Sequence, residues 1–319
     1  RTEPPNFKVA LGSCAYVNEE RFDRPGNPYG GEYQIFTAIH QQDPDLMIWL
    51  GDNTYLREPD WFTRTGFLHR YTHSRSLPEL QPLLASTHHY AIWDDHDFGP
   101  NDSDGSFIHK DLAKEVFQLF WANPSYGLPG KGGVTSYFQW GDVDFFLVDN
   151  RYFRTPDRQK KGERTQLGKD QLEWLIQALI ASNAPFKIVA TGGQVLTTYT
   201  NYETFTNLYP EERAYLLRRI EEEDIRNVVF LTGDRHHTEL SKQVNSKGRT
   251  VYDLTVSPLT SGVHVGGEEV NFLREAGTLV QQRNFGILEF AGARKERTMT
   301  IRIFDNSGKE LWNRMVKAE

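Results

Sequence analysis

The chain has 319 residues, enough to bury a large core, and its 36 Lys and Arg against 43 Asp and Glu give a formal net charge of −7. That acidic balance argues against a protein that coats nucleic acid or an anionic membrane, since both need a basic face, and no apolar run approaches a bilayer span. A single cysteine rules out an internal disulfide.

In chain order, apolar runs alternate with helical patterns through roughly the first two thirds. FKVALGSC (Phe7 to Cys14) reads as a buried strand, followed by a helix in which Tyr33, Phe36, Ile39 and His40 recur near helical spacing. The strand DLMIWLGD comes next. Helical stretches in FTRTGFLHRYTHS and LPELQPLLAST lead to the strand HYAI before Trp93. KDLAKEVFQLFWANP predicts an amphipathic helix with Leu112, Val116, Leu119 and Phe120 on its apolar face and Pro124 closing it. TSYFQWGDVDFFLVDN predicts a hairpin turning at Gly141-Asp142. The helix GKDQLEWLIQALIAS, the strand FKIVATGG, the helix PEERAYLLRRIEEED and the strand VVFLTGD follow. The tail then turns to strands (RTVYDLTVS, FGILEF, MTIRIFD) and suggests a second sheet packed on the first. Strand and helix in alternation imply an α/β fold with helices outside a mixed sheet. No repeat, low-complexity tract or linker interrupts residues 1–319, which read as one domain; the Gly/Pro/Asn-rich stretches from Arg24, Pro100 and Gly127 are short enough to be loops beside a crevice.

Several strand runs end in Asp, His, Tyr, Arg or Cys, a set rich in potential metal ligands: Cys14, Gly51-Asp52-Asn53-Thr54-Tyr55, Trp93-Asp94-Asp95-His96-Asp97, Asp149-Asn150-Arg151 and Gly233-Asp234-Arg235-His236-His237. Loops at the carboxyl ends of strands in an open α/β sheet meet in one crevice, so these endings predict one site. Asp52 can bridge two cations, and the Tyr55 phenol is a hard donor suited to a trivalent ion. Three carboxylates around His96 repel one another unless a cation or base neutralises them; an Asp there can bind metal while the His donates to a phosphate or leaving-group oxygen. Asp234 and His236 would share a direction if the strand continued extended, with His237 facing elsewhere. Arg151 and Arg154 read either as counter-ions or as a clamp for a substrate phosphate. The remaining histidines, His264 among them, have no ligand partners at useful spacing and read as structural. Oxygen donors outnumber imidazoles, with one thiol, which predicts a harder transition ion near Cys14 and Tyr55 plus one or more calcium- or magnesium-like ions near Asp95 and Asp234.

At these residues the chain resembles the PhoD-like (alkaline phosphatase D) metallophosphoesterases: GSC, GDNTY, WDDHDFGPND, DNRYFR, GGQ and GDRHH stand in that family's order, with TVSPLTSG after them. The resemblance implies a four-layer αββα sandwich of two mixed sheets flanked by helices. It implies hydrolysis of phosphomonoesters or phosphodiesters by hydroxide activated at Fe3+ and one or two Ca2+, with Zn or Mg as alternatives. Carried onto matching positions, Cys14, Tyr55, Asp52 and His236 fall on the iron side with Asp52 bridging, and Asp95 and Asp234 on the second metal. His96 falls on the acid or phosphate donor, Arg151 joins it as a catalytic residue clamping the phosphate, and Arg151 and Asn101 bind the substrate. Gly192-Gly193 precede Gln194 where an amide-bearing residue is expected. The resemblance also implies an exported, periplasmic or secreted enzyme, and a start at Arg1 fits either a removed signal or a trimmed chain. The expected partner is a small phosphoester, with no stable nucleic-acid partner and no transmembrane segment. Two other readings stand beside this one: a non-catalytic calcium-stabilised binding protein on the same fold, and a phospholipase- or nuclease-type phosphodiesterase. A structural calcium site needs neither thiol nor phenol, and no basic or apolar substrate track is visible in the chain.

Overall fold

A computed structural model describes residues 3–23, 25–264 and 269–319. In chain order the elements are β1 (Phe7–Gly12), α1 (Gln34–Gln41), β2 (Leu46–Leu50), α2 (Arg64–Ser74), α3 (Gln81–Ser86), β3 (His88–Ile92), α4 (Asp95–Phe98), α5 (Lys110–Phe120), β4 (Ser136–Trp140) and β5 (Val143–Leu147). They continue with α6 (Lys169–Ala181), β6 (Lys187–Ala190), α7 (Phe205–Leu208), α8 (Pro210–Glu222), β7 (Val228–Thr232), β8 (Glu239–Val244), β9 (Thr250–Thr255), β10 (Asn284–Ala291), β11 (Thr298–Asp305) and β12 (Glu310–Lys317).

Period-2 alternation sorts the strand side chains into layers. In β2, Leu46, Ile48 and Leu50 point inward to a core shared with Phe145, Ile188, Val229 and Leu254 of the opposite strands. Its alternate residues Met47 and Trp49 point outward and pack with Ile35, Phe36, Phe67, Val116 and Phe117 from α1, α2 and α5. The second sheet repeats the pattern: Phe146, Val189 and Phe230 turn outward onto Leu175, Ile176, Leu216 and Ile220 of α6 and α8. The result is four layers, two mixed sheets between two sets of helices. Strands covered on both faces have no polar side to alternate, which is why β2, β5, β6 and β7 are buried along their whole length and read as largely apolar runs, broken only by Asp144 in β5, Lys187 at the start of β6 and Thr232 at the end of β7.

One six-stranded sheet runs β12-β11-β10-β1-β2-β3 and the other β4-β5-β6-β7-β9-β8. Within the first, β1, β2 and β3 are parallel; within the second, β5, β6, β7 and β9 are parallel. The hairpin of β4 and β5 turns at Gly141-Asp142, with Trp140 opposite Val143. The tail departs from expectation. It forms no sheet of its own: β9, with β8, extends the second sheet beside β7, whereas β10 pairs antiparallel with β1 and carries β11 and β12 onto the first. The apolar face of α5 is also narrower than its periodicity predicts. Ala113, Val116 and Phe117 are buried, while Leu119 is 58% exposed.

Loops from both sheets interlock where the parallel strands end. Gly233, after β7, donates to the carbonyl of Gly192, after β6, and a Cβ at Gly233 would clash with the Leu50 carbonyl at the end of β2. Only glycine allows the two sheets to approach this closely.

Candidate metal centre

Cys14, Asp52, Asp234 and His236 all sit just past strand ends with positive φ (58°, 51°, 66° and 54°). Left-handed backbone is uncommon for residues other than glycine, and it clusters at sites where the surrounding structure holds it in place. Here it turns each side chain off the end of its strand. Asp234 and His236 are therefore not brought together by an extended strand, as their spacing suggested; β7 ends at Thr232 and a tight left-handed turn presents both.

Cys14, Asp52 and His236 offer ligand atoms all within 4.8 Å of one another, and so do Asp52, Asp95 and His96. Asp52 belongs to both groups. Its Oδ2 lies 3.7 Å from Cys14 Sγ, while its Oδ1 accepts the His96 backbone N–H at 3.3 Å. The Tyr55 hydroxyl is 3.4 Å from His236 Nε2, and the Tyr55 ring packs against that of His96 with centroids 4.3 Å apart. Asp97 points away from the crevice and ties two of these loops together, accepting backbone N–H groups from Asn53 (3.2 Å), Thr54 (3.0 Å) and Asp94 (3.0 Å).

Most of the cluster resists carrying its charge, Asp95 being the exception, held despite its burial below the usual carboxylate range by His96 and Arg151. Burial, then the charges of Asp95, Asp94, Asp97 and Asp234, push the Asp52 carboxyl well up. Burial followed by Asp94, Glu203 and Asp95 does the same to Asp234. The Cys14 thiol and Tyr55 phenol are raised by burial and by Asp52. His236 is pushed down to about 4 by burial and by His96, leaving a neutral imidazole free to ligate. The Oδ2 of Asp94 and the Oδ1 of Asp95 are buried without a hydrogen-bond partner. Orphaned carboxylate oxygens in an anionic cluster fit cations, and the donors divide into a side with Cys14, Tyr55 and His236 and a side with Asp95 and His96, Asp52 lying between them.

The crevice has a volume of about 580 Å³, and Asp52, Asp95, His96, Asn101, Asp234 and His236 line it. Arg151, expected near the substrate, does not reach that lining. It is 1% exposed, and its guanidinium binds Asp94, grips Glu203 through two nitrogens (3.0 and 2.6 Å) and donates to the Ser103 carbonyl at 3.2 Å. Of the two roles its sequence left open, the structure places it as a counter-ion. The adjacent pair Asp94-Asp95 differs in exposure to the crevice: Asp94 is enclosed by the arginine and by Asn150, which donates to it at 2.8 Å, while Asp95, its Oδ1 3.6 Å from the same guanidinium, also lines the crevice. Gly192 has no room for a side chain, because Asn150 and Asp94 occupy the space a Cβ would enter. Gln194 lies outside the crevice, donating to Glu239 (2.8 Å) and accepting from Arg235 (2.9 Å).

Sequence reasoning missed several residues. Tyr29 lines the crevice and its hydroxyl is 3.2 Å from His236 Nδ1. Its only sequence signal is its place in the Gly/Pro-rich loop after Arg24. Asp102 and Glu203 form a third group with Asp95, again within 4.8 Å. Asp102 is visible beside Asn101, but nothing in NYETF marks Glu203. Both Glu203 oxygens are already held by Arg151 and Arg154. Arg235 and His264 also line the crevice, so His264, which reads as a structural histidine in the sequence, belongs to the site.

Two layers of helix around two mixed sheets, with acidic loops converging at the strand ends, define a protein of the metallophosphoesterase-like class. A solved structure of PhoD superposes with a TM-score of 0.75 at 16% identity, covering 99% of this chain and 72% of that one. A purple acid phosphatase from yellow lupin (Lupinus luteus) seeds gives 0.69 at 12%, covering 99% and 54%. The sequence model of the PhoD-like phosphatases matches residues 9–298, and the chain belongs to that family. It is 24% identical over 283 residues to alkaline phosphatase D of Bacillus subtilis (strain 168), an alignment spanning 73% of this chain and 47% of that protein. The match thus covers about half the length of that relative. Among the described residues, no helix is long and apolar enough to cross a membrane.

Proposed function

We propose that this chain hydrolyses small phosphoesters, monoesters or diesters, in the crevice, with metal ions held by the strand-end residues. The observation that carries this reading is the double membership of Asp52, which places one carboxylate between two donor groups. Cys14, Tyr55 and His236 would hold an Fe3+ on one side of it, and Asp95 and Asp234 one or two Ca2+ on the other, where the carboxylates suit a hard cation. When bound, such ions would neutralise the carboxylates, acidify a water for attack on phosphorus and clamp the phosphoryl oxygens.

The protein's own groups supply the rest. His96 is half-buried at the crevice, held by its backbone N–H to Asp52 and by the Tyr55 ring, and would give a proton to the leaving-group oxygen. Asn101, exposed on the lining, offers its amide to a phosphoryl oxygen. Arg151 acts from behind, locking Asp94 and therefore the turn that carries Asp95 and His96. Export from the cytoplasm belongs to the same reading and rests on the family resemblance.

The test is elemental analysis, an absorption spectrum and nitrophenyl phosphate hydrolysis on protein purified without chelator. Thiolate and phenolate are strong donors to Fe3+, so the resting protein should be coloured by ligand-to-metal charge transfer. Cys14→Ser should shift or bleach the band and weaken iron retention. A colourless, iron-free and fully active protein would reduce Cys14 to a buried thiol and remove iron from the proposal.

His96→Gln should keep its metal content and lose about 10²–10⁴-fold in rate, the range of a lost proton transfer. Because the His96 ring also lies within ligand reach of Asp52 and Asp95, loss of metal in this variant would make it a ligand instead.

A further inference from the structure

Away from the strand ends, the crevice lining also carries aromatic and apolar side chains among its polar ones. Glu203 faces inward, tied to the two buried arginines beside Asp95, and the residue before it, Tyr202, turns to the crevice and is 57% exposed. Leu208, Val263 and His264 line the crevice as well. A phosphoester has a charged phosphoryl end and an organic leaving group. The carboxylates at the strand ends suit the first; this aromatic and apolar stretch suits the second.

Tyr202 is held as an anchored ring rather than a loose surface side chain. Its backbone has φ 55°, a left-handed conformation that is unfavourable for a bulky residue. The turn is fixed on both sides: Glu203 by Arg151 and Arg154, the Tyr202 carbonyl by the Asn207 amide at 2.7 Å, and Thr204 as the side-chain cap of α7. The Arg235 guanidinium lies over the ring, 4.8 Å from its centroid, and is itself held by Gln194 at 2.9 Å and Glu269 at 2.6 Å. His264 meets the ring at 76°, centroids 5.8 Å apart. A cation on one side of an aromatic ring and a second ring at its flank fix its orientation while more than half of the residue stays open.

We propose that Tyr202, backed by Arg235 and flanked by His264, is a stacking platform for a planar ring in the leaving group, so that aryl and nucleoside phosphates are favoured over alkyl phosphates. This rests on the phosphoesterase reading above and names the substrate class of the same site.

The test uses three substrates on the metal-loaded protein: nitrophenyl phosphate, adenosine 5′-monophosphate and glycerol 1-phosphate. Tyr202→Asn removes the ring with a residue that tolerates left-handed backbone, so folding is preserved. The ratio of kcat/KM for each ring substrate over glycerol phosphate should fall about tenfold relative to the unmodified protein, equivalent to about 1.4 kcal/mol. Tyr202→Phe should restore the ratio. A fall for nitrophenyl phosphate alone would assign the platform to simple aryl esters, and a fall for both would extend it to nucleosides. An equal loss on all three substrates, or no change in the ratio, would overturn the platform. Failure of the unmodified protein to hydrolyse any of the three would overturn the phosphoesterase reading itself, and the platform with it.

Discussion

Asp52→Asn should release the metals from the crevice and lower phosphoester turnover by at least ~10³-fold, no less than the loss of a single oxyanion-hole donor. Asparagine keeps an oxygen to accept the His96 backbone N–H, now at 3.3 Å, and fits the same space, so the turn survives. What it removes is the charge shared by the two donor groups. Neither side can then neutralise its cation, and neither cation can be held against the other. The measurement is metal content per chain alongside hydrolysis of nitrophenyl phosphate in excess metal. Near-normal activity with full metal content would show that Asp52 does not bridge.

A second large effect should appear without any mutation. Stripped of metal by a chelator, the protein should lose stability as pH rises from about 5 to 8, with its thermal midpoint falling by at least ~5 °C, while the metal-loaded form stays nearly flat. The sign follows from the carboxyls of Asp52 and Asp234, both pushed up in the fold, and of Asp97, pushed up to about 8 chiefly by burial. Below about pH 4 each is protonated whether the chain is folded or not, and no penalty arises. Above that, the unfolded chain ionises freely while the folded one must keep its protons, so each unit of pH favours unfolding until the folded value is passed. Bound cations would hold the ionised form of Asp52 and Asp234 and cancel most of the slope. In Asp52→Asn one of these groups no longer titrates, so its chelated form should be less pH-sensitive. Identical flat profiles with and without chelator would mean that the cluster is not strained by its own charge.

Much of this site is legible in the order of the amino acids alone. Parallel strands covered on both faces appear as largely apolar runs, and the residue that follows such a run must sit at the rim of a sheet. Cys14, Asp52, Asp95 and His236 can therefore be grouped without knowing a single contact, because one physical rule, that strand ends converge, applies to all of them. The same locality explains the hairpin at Gly141-Asp142, whose turn and register are set within a few residues.

Tertiary structure decided everything that depends on a partner far along the chain. Arg151 carries the same guanidinium whether it faces a substrate phosphate or a carboxylate; what makes it a counter-ion is Glu203, 52 residues away, and no local pattern marks that glutamate. Asp94 and Asp95 are chemically identical neighbours that both contact the buried arginine, and only the fold decides that Asp95 also lines the crevice. The strands of the tail look alike in sequence, yet β10 joins the free edge of β1 in one sheet while β9 joins β7 in the other. Tyr202 is an ordinary loop tyrosine in sequence; its left-handed turn, the arginine over its ring and its place on the crevice come from the fold. Side-chain periodicity is a property of neighbouring residues and survives in the sequence. The choice among equivalent charged partners or open sheet edges is made by long-range packing, which exists only once the chain has folded.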